Sequence, residues 1–107
     1  MAKLFTMPFN GESGKQYEFD FYDISSGWHE VTGIYIVAYY NKSKNTVRSI
    51  YVGETDNLKN RFLAHHKQTC FDENYANVLG WMGEPNEKTR LSIEDDLLKS
   101  LKPPCND

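Results

Sequence analysis

Alternating and continuous apolar patterns predict three strands in the first half of the chain. Gln16–Ile24 (QYEFDFYDI) alternates aromatic and acidic residues with a period of two, which predicts a strand with one buried face. Gly33–Tyr40 (GIYIVAYY) is continuously apolar and rich in β-branched and aromatic residues, so it predicts a strongly buried strand. Ser49–Thr55 predicts the next strand. Only the polar turn Asn41–Arg48 separates these two, so we expect an antiparallel hairpin.

The second half of the chain predicts a helix, a strand and a longer helix. The first helix covers 56–67, with Thr55 or Asp56 as its N-cap. Tyr75–Gly83 predicts a strand. The last helix runs over about 87–101, is capped by Asn86, and is stopped by the prolines that follow it.

This order of elements predicts an α+β fold. We expect a small antiparallel sheet of three central strands and a likely N-terminal strand, flanked by helices. A chain of 107 residues suits one domain, 1–107, with 1–31 as an N-terminal strand and loop extension.

Charge is unevenly distributed along the chain. The net charge is −3, but 31–70 holds six basic and two acidic residues between two acidic outer segments. A polyanionic partner would meet this basic middle segment first, and Lys59 and Lys67 in it are candidate substrate-binding residues.

Composition excludes several classes of protein. No apolar run approaches the roughly 20 residues that span a membrane, so we expect a soluble, cytoplasmic protein without membrane contact. Cys70 and Cys105 are too few for a disulfide scaffold, and we expect free thiols.

The acidic run Glu94–Asp96 in the last helix divides by helical phase. At about 100° per residue, Glu94 falls in the middle of the apolar face, whereas Asp95 and Asp96 fall on the opposite face and are expected to be solvated. A carboxylate among apolar residues needs a cationic partner or a proton. Glu94 is therefore an ion-pair partner, a metal ligand or an acid/base group, and the helix alone does not decide.

Two further patterns suggest an anion-binding cleft. Arg61 and His65 are four residues apart and lie together at the border of the first helix's apolar stripe. Arginine presents a planar fork of donors to a phosphate, and histidine transfers protons near neutral pH, although both could simply pack. Gly53 within a strand indicates close approach of a ligand or another backbone.

Taken together, these residues resemble the GIY-YIG nuclease family, and the resemblance covers about 32–107. The elements that carry it are GIY at Gly33–Tyr35, YVG at Tyr51–Gly53, Arg61 with His65 four residues later, the inward Glu94, and Asn106 in PPCN. The ending resembles the small, stand-alone bacterial and phage-type members rather than the repair-nuclease branch of the family. Glu54 stands where some members carry a lysine.

The resemblance implies hydrolysis of phosphodiester bonds in DNA with one Mg²⁺ or Mn²⁺ ion. It implies that Glu94 binds the metal, Tyr35 orients and deprotonates the attacking water, and Arg61 neutralises the phosphate. His65 would accept the proton from Tyr35. The resemblance further implies that Tyr51 and Asn106 hold the substrate and shape the pocket, and that Gly53 lets the phosphate approach. One glutamate without a second inward acid favours a single hydrated ion.

Two alternatives compete with this interpretation. His65, His66, Cys70 and Cys105 could form a zinc site, although their spacing matches no strong pattern. The fold could also bind nucleic acid or protein without cutting. Because the outer segments are acidic, we expect that cleavage is weakly specific, or that DNA affinity comes from a homo-oligomer or a partner protein, or that the chain is one domain of a longer protein.

Overall fold

The computed structural model describes residues 3–26, 28–63 and 67–106, without the side chains of Phe62 and Leu63, and it confirms the α+β class. The chain forms five strands and three helices within these ranges. Their bounds are β1 Phe5–Asn10, β2 Gln16–Asp23, β3 Gly33–Asn41, β4 Thr46–Thr55, α1 Leu58–Leu63, α2 Gln68–Glu73, β5 Val78–Gly83 and α3 Glu87–Leu101.

The five strands form one antiparallel sheet in the order β1-β2-β5-β3-β4. The predicted β3–β4 hairpin is confirmed, with Gly33 opposite Thr55 and Asn41 opposite Thr46. β3 lies between β5 and β4, and its residues 33–38 are all buried. A strand covered on both faces needs apolar residues at both parities, which explains the continuous apolar run in its sequence.

Two hydrophobic clusters cover the two faces of the sheet. The first cluster packs against α3 and contains Phe9, Phe19, Phe21, Ile34, Ile36, Ala38, Val52, Val78 and Leu97. The second packs against α1, α2 and the C-terminal segment and contains Tyr35, Val37, Ile50, Leu58, Phe71, Leu79 and Cys105. Strand alternation therefore sends Tyr35 to the face opposite Ile34 and Ile36.

The sheet has one strand more than the four predicted, because β1 was not anticipated. Phe5, Met7 and Phe9 alternate with more exposed residues, so β1 carries the period-two pattern in a short form. Pro8 lies within it, and proline is tolerated there because β1 is an edge strand. The predicted strand at 16–24 is confirmed as β2, which pairs with β1 and β5.

The helical region after β4 differs from the single helix predicted over 56–67. Helix α1 begins at Leu58, and the further helix α2 was not predicted. The predicted caps Thr55 and Asp56 are wrong, since Asn57 Oδ1 accepts the Asn60 N–H at 3.1 Å. Thr55 Oγ1 instead accepts the Asn57 N–H at 3.0 Å and fixes the turn that leads into the helix. Strand β5 starts three residues later than predicted.

Helix α3 follows its prediction closely. Asn86 is its N-cap, with Oδ1 accepting the Thr89 N–H at 2.9 Å. The expectation that Asp95 is solvated holds, because it is exposed and pairs with Lys99 at 3.0 Å. The same expectation for Asp96 is wrong.

Asp96 joins α3 to the β1–β2 turn. Its carboxylate accepts hydrogen bonds from the Ser13 N–H (2.9 Å), the Ser13 hydroxyl (2.6 Å) and the Tyr17 hydroxyl (2.7 Å). These hydrogen bonds lower the pKa of Asp96, because they favour its charged form. The acid therefore has a structural role that helical phase alone did not reveal.

The two cysteines form a disulfide, so the expectation of free thiols is wrong. Cys70 in α2 is bonded to Cys105 in the C-terminal segment. Packing of α2 and this segment on the same face of the sheet brings together two residues 35 positions apart. Neither sulfur is a thiolate that could bind zinc, and His65 and His66 lie outside the described residues. The zinc-site alternative therefore loses both of its sulfur ligands.

Candidate functional site

Tyr35, Tyr51 and Gly53 share one face of the β3–β4 hairpin. Tyr35 is directly opposite Gly53, and Val37 is opposite Tyr51. The rings of Tyr35 and Tyr51 stack at 5.9 Å between centroids. The register thus brings together the two tyrosines and the glycine that were selected from separate strands of the sequence.

Gly53 makes room for the Tyr35 ring. A Cβ atom at Gly53 would lie 2.5 Å from Tyr35 Cζ and 2.6 Å from its hydroxyl oxygen. A side chain at this position would therefore have to displace a ring that is only 1% exposed. The close approach anticipated at this glycine is made by a neighbouring side chain.

Gly53→Ala is expected to displace the Tyr35 hydroxyl and to destabilise the fold by about 1–3 kcal/mol, as overpacking of a core does. Tyr35 fluorescence is masked by tryptophan, so the measurement is chemical denaturation together with the Tyr35 ring signals in an NMR spectrum. Gly83→Ala is the control, because a Cβ there meets no atom within 4 Å. Unchanged Tyr35 signals in Gly53→Ala would contradict the steric argument.

Burial dominates the chemistry of the Tyr35 hydroxyl. Burial raises its pKa far above the ordinary range, and the nearby Tyr51 hydroxyl and the Glu94 carboxylate raise it further. The charge of Arg61 acts in the opposite direction and lowers this pKa. The phenol is therefore neutral unless more positive charge arrives at the site.

Glu94 is half-buried on the inward side of α3, as its helical phase predicted, and it contacts the outer edge of β4. Its Oε2 atom accepts the Glu54 N–H at 3.1 Å. Burial raises the pKa of Glu94, the Glu54 charge raises it further, and the Glu54 N–H and Arg61 lower it. The expectation that no second acid accompanies Glu94 is wrong, because Glu54 is close enough to repel it.

Arg90 is a residue of this site that the sequence interpretation missed. It is 3% exposed, and its Nη1 donates to the carbonyl oxygens of Pro85 (2.9 Å) and Glu84 (3.3 Å). Its Nε atom lies 3.8 Å from Glu54 Oε1, and Nε has no hydrogen-bond partner among the described residues. Arg90 thus attracts the Glu54 carboxylate, while the Glu54 backbone N–H binds the Glu94 carboxylate.

The C-terminal segment covers the same edge of β4. The Asn106 side chain accepts the Val52 N–H at 2.8 Å and donates to the Val52 carbonyl at 2.9 Å. The Cys105 N–H donates to the Ile50 carbonyl at 3.0 Å. Alternate residues of an edge strand direct their polar groups outward, and at positions 50, 52 and 54 these groups are bound by Cys105, Asn106 and Glu94.

Arg61 acts electrostatically on both Tyr35 and Glu94, because its positive charge lowers the pKa of each. It is exposed and lines a polar cavity of about 300 Å³ together with Thr55, Asp56, Asn57 and Asn60. Because this guanidinium is exposed at the edge of a polar cavity, it can bind an anion without first breaking a buried ion pair.

The predicted residues Lys59 and Lys67 belong to the helical region after β4. Lys59 is exposed on α1, and Lys67 is half-buried immediately before α2. His65, the predicted proton acceptor, lies outside the described residues.

The site contains a carboxylate oxygen that can bind a cation, but the described residues do not form a complete set of ligands around it. The described part of the chain contains no group of three or more His, Cys, Asp or Glu that could hold a metal ion. Glu94 has one oxygen bound by the Glu54 N–H, and the second oxygen accepts no hydrogen bond from the described residues. A half-buried carboxylate whose charge is disfavoured by burial and by a second acid suits a hydrated divalent cation.

The α+β sheet with its helices is compatible with the GIY-YIG-like fold that the sequence resembles. The chain is similar to two curated proteins, both named UvrABC system protein C. It is 34% identical over 83 residues to the protein of Hydrogenobaculum sp. (strain Y04AAS1) and 31% identical over 83 residues to that of Aquifex aeolicus (strain VF5).

Each of these similarities covers 72% of this chain but 14% of the relative, so the chain spans about one seventh of the curated relatives it matches. No protein-family model matches the chain, and no solved structure matches it significantly. The resemblance to small, stand-alone family members stays a prediction.

Within the described ranges, no helix is both long enough and apolar enough to cross a membrane.

Proposed function

We propose that this protein is a divalent-metal-dependent endonuclease that hydrolyses phosphodiester bonds in DNA. The observation that carries the proposal is the convergence of Tyr35, Arg61 and Glu94, which come from β3, α1 and α3 and act electrostatically on one another. Phosphodiester hydrolysis needs an oriented water, positive charge at the phosphate and a site for a divalent cation. These three residues supply one element each.

Arg61 binds the scissile phosphate. It is exposed at a polar cavity, and its guanidinium stays charged at every useful pH. Negative charge grows on the phosphate oxygens in the transition state, so a fixed cation there accelerates the reaction by about 10²–10³-fold.

Glu94 would hold the cation, with Glu54 next to it. When bound, Mg²⁺ or Mn²⁺ supplies positive charge that polarises the phosphate. The Glu54 N–H fixes one oxygen of Glu94 and leaves the other for the cation. The Arg90 guanidinium holds the Glu54 carboxylate through their ion pair.

Tyr35 holds the attacking water at its hydroxyl. Since burial raises the pKa of Tyr35, removal of its proton needs added positive charge and an acceptor. Arg61 already lowers this pKa, and we propose His65 as the acceptor. Tyr51 orients Tyr35 through the contact between their rings and hydroxyls.

Asn106 is a positioning residue in this proposal. Both polar groups of its side chain are engaged by Val52, so it shapes the edge of β4 next to Glu94. Gly53 likewise acts through Tyr35, because it makes room for that ring. Lys59 and Lys67 are proposed to contact the DNA backbone, and additional affinity is proposed to come from an oligomer or a partner protein.

The proposal is tested by incubating the protein with supercoiled plasmid, with Mg²⁺ or with a chelator. The native protein is expected to nick the plasmid only with the metal, and Arg61→Ala is expected to nick it at least about 100-fold more slowly. Lys44→Ala is the control, because it removes an exposed positive charge from the turn at the other end of the hairpin.

Absence of metal-dependent nicking would reject the endonuclease. DNA binding without nicking would favour the alternative of a non-cutting binding module. Equal nicking by Arg61→Ala and Lys44→Ala would remove Arg61 from the mechanism.

A further inference from the structure

A second cavity, lined by aromatic residues, lies on the same face of the sheet as Tyr35. It has a volume of about 170 Å³ and is lined by Tyr22, Trp28, His29, Val31, Leu58 and Trp81. The Tyr22 and Trp28 rings meet edge to face at 6.3 Å between centroids. The proposed mechanism uses residues of β3, β4, α1 and α3. Of the residues that line this cavity, only Leu58 lies in one of these elements.

The sheet register places this aromatic cavity beside the proposed catalytic residues. Trp81 is the β5 partner of Tyr35, and Tyr22 is the β2 partner of Leu79. Paired residues of antiparallel strands point to the same face, so Trp81 and Tyr35 are neighbours on it. The Trp81 ring extends over Gly33, where a Cβ atom would lie 2.7 Å from Cη2.

The first turn of α1 separates the aromatic cavity from the polar cavity of Arg61. Leu58 lines the aromatic cavity, whereas Asn57 and Arg61 line the polar one. The Leu58 N–H donates to the Val31 carbonyl at 3.0 Å, which fixes this turn against the loop that carries Trp28 and His29. One helical turn rises about 5.4 Å, so a phosphate at Arg61 lies within reach of a base in the aromatic cavity.

We infer that the aromatic cavity is a subsite for one unpaired nucleobase of the DNA strand whose phosphate lies at Arg61. This inference rests on the proposed function and narrows its substrate to DNA with at least one unstacked base. Aromatic side chains hold unpaired bases by stacking, because every base presents a π-face. A cavity of about 150 Å³ accommodates a benzene ring, so the observed volume suits one pyrimidine ring.

Tryptophan fluorescence gives a direct test, since the only two tryptophans of the chain, Trp28 and Trp81, both line the cavity. The full chain is titrated in chelator, where cleavage cannot occur, with a short thymidine oligonucleotide. An abasic oligonucleotide of equal length and charge is the matched ligand. We expect the thymidine oligonucleotide to quench the fluorescence and to bind about 5–100-fold more tightly than the abasic one.

Tyr22→Leu keeps both tryptophan reporters and is expected to weaken thymidine binding by about 5–100-fold without affecting abasic binding. His29→Ala, an exposed change in the same cavity, is the second variant if Tyr22→Leu does not fold. Tyr75→Leu is the control, because Tyr75 is 75% exposed and does not line the cavity.

Equal binding of the thymidine and abasic oligonucleotides would overturn the subsite. Quenching by a proline-rich peptide and not by either oligonucleotide would also overturn it and would identify a peptide groove. If the protein nicks plasmid but binds the thymidine and abasic oligonucleotides equally, only the subsite is rejected. If the thymidine oligonucleotide alone quenches the fluorescence but no plasmid is nicked, only the endonuclease is rejected.

Discussion

Glu94→Gln is expected to lower metal-dependent nicking by about 1000-fold while leaving the metal-free fold at least as stable as the native protein. Glutamine keeps the oxygen that accepts the Glu54 N–H, so the local hydrogen bond survives. It removes the negative charge that would bind the cation, and such an ion contributes several kcal/mol to phosphoryl chemistry. Nicking rates and thermal unfolding of the two proteins measure the two effects.

The stability part of this prediction follows from the raised pKa of Glu94. Burial and the Glu54 charge hold this pKa above its unfolded value of about 4.3. The folded state therefore binds the proton more tightly, and stability falls as pH rises from about 4.3 through the folded pKa. Glutamine at position 94 does not titrate. The unfolding midpoint of Glu94→Gln should therefore exceed that of the native protein at pH values above this interval, and the two midpoints should be equal below pH 4.

Asp95→Asn is the matched control for Glu94→Gln, because Asp95 is the adjacent acid, is exposed and pairs with Lys99. It should change neither the nicking rate nor the effect of metal on unfolding. Mg²⁺ should raise the unfolding temperature of the native protein and of Asp95→Asn, but not that of Glu94→Gln. A Glu94→Gln protein that is stabilised by Mg²⁺ as the native protein is would place the metal elsewhere.

Reduction of the Cys70–Cys105 disulfide is expected to lower the free energy of unfolding by about 3–4 kcal/mol. The bond closes a loop of 35 residues, and opening it restores that loop's entropy to the unfolded chain. In a domain of this size the loss corresponds to a fall of roughly 15–25 °C in the unfolding midpoint. Thermal unfolding with and without a thiol reductant measures it.

Reduction should also loosen the C-terminal segment on β4. Cys105 and Asn106 together bind the outward polar groups of Ile50 and Val52. The Val52 amide should therefore exchange with solvent faster in the reduced protein. The double variant Cys70→Ala/Cys105→Ala is the control and should not respond to the reductant. Two titratable thiols in the unreduced, denatured protein would contradict the disulfide.

Periodicity predicted the elements whose burial depends on their own sequence. β3 carries a short, continuous apolar run rich in β-branched and aromatic residues, which favours a buried strand, and α3 combines an Asn86 cap with a regular apolar stripe. β1 was missed because only three alternating apolar residues mark it and Pro8 interrupts the pattern. Helix α2 was missed because six residues do not complete two helical turns.

Some residues of the site could also be identified from the sequence alone. Helical phase separated Glu94 from Asp95, and the same layout places Arg90 one turn before Glu94 on the buried face. Arg90 could thus have been identified from that spacing. Glu54 could not, because a strand residue's distance from a helix residue 40 positions later depends on packing.

The sequence by itself determined the α+β class, the β3–β4 hairpin and the inward phase of Glu94, since these follow from local periodicity and short connections. Only the tertiary structure decided which distant groups meet. It paired Cys70 with Cys105, bound Asp96 to the β1–β2 turn, and set the Asn106 side chain on Val52. Each of these contacts joins segments whose separation in sequence carries no periodic signal, so packing of the helices on the sheet had to establish it.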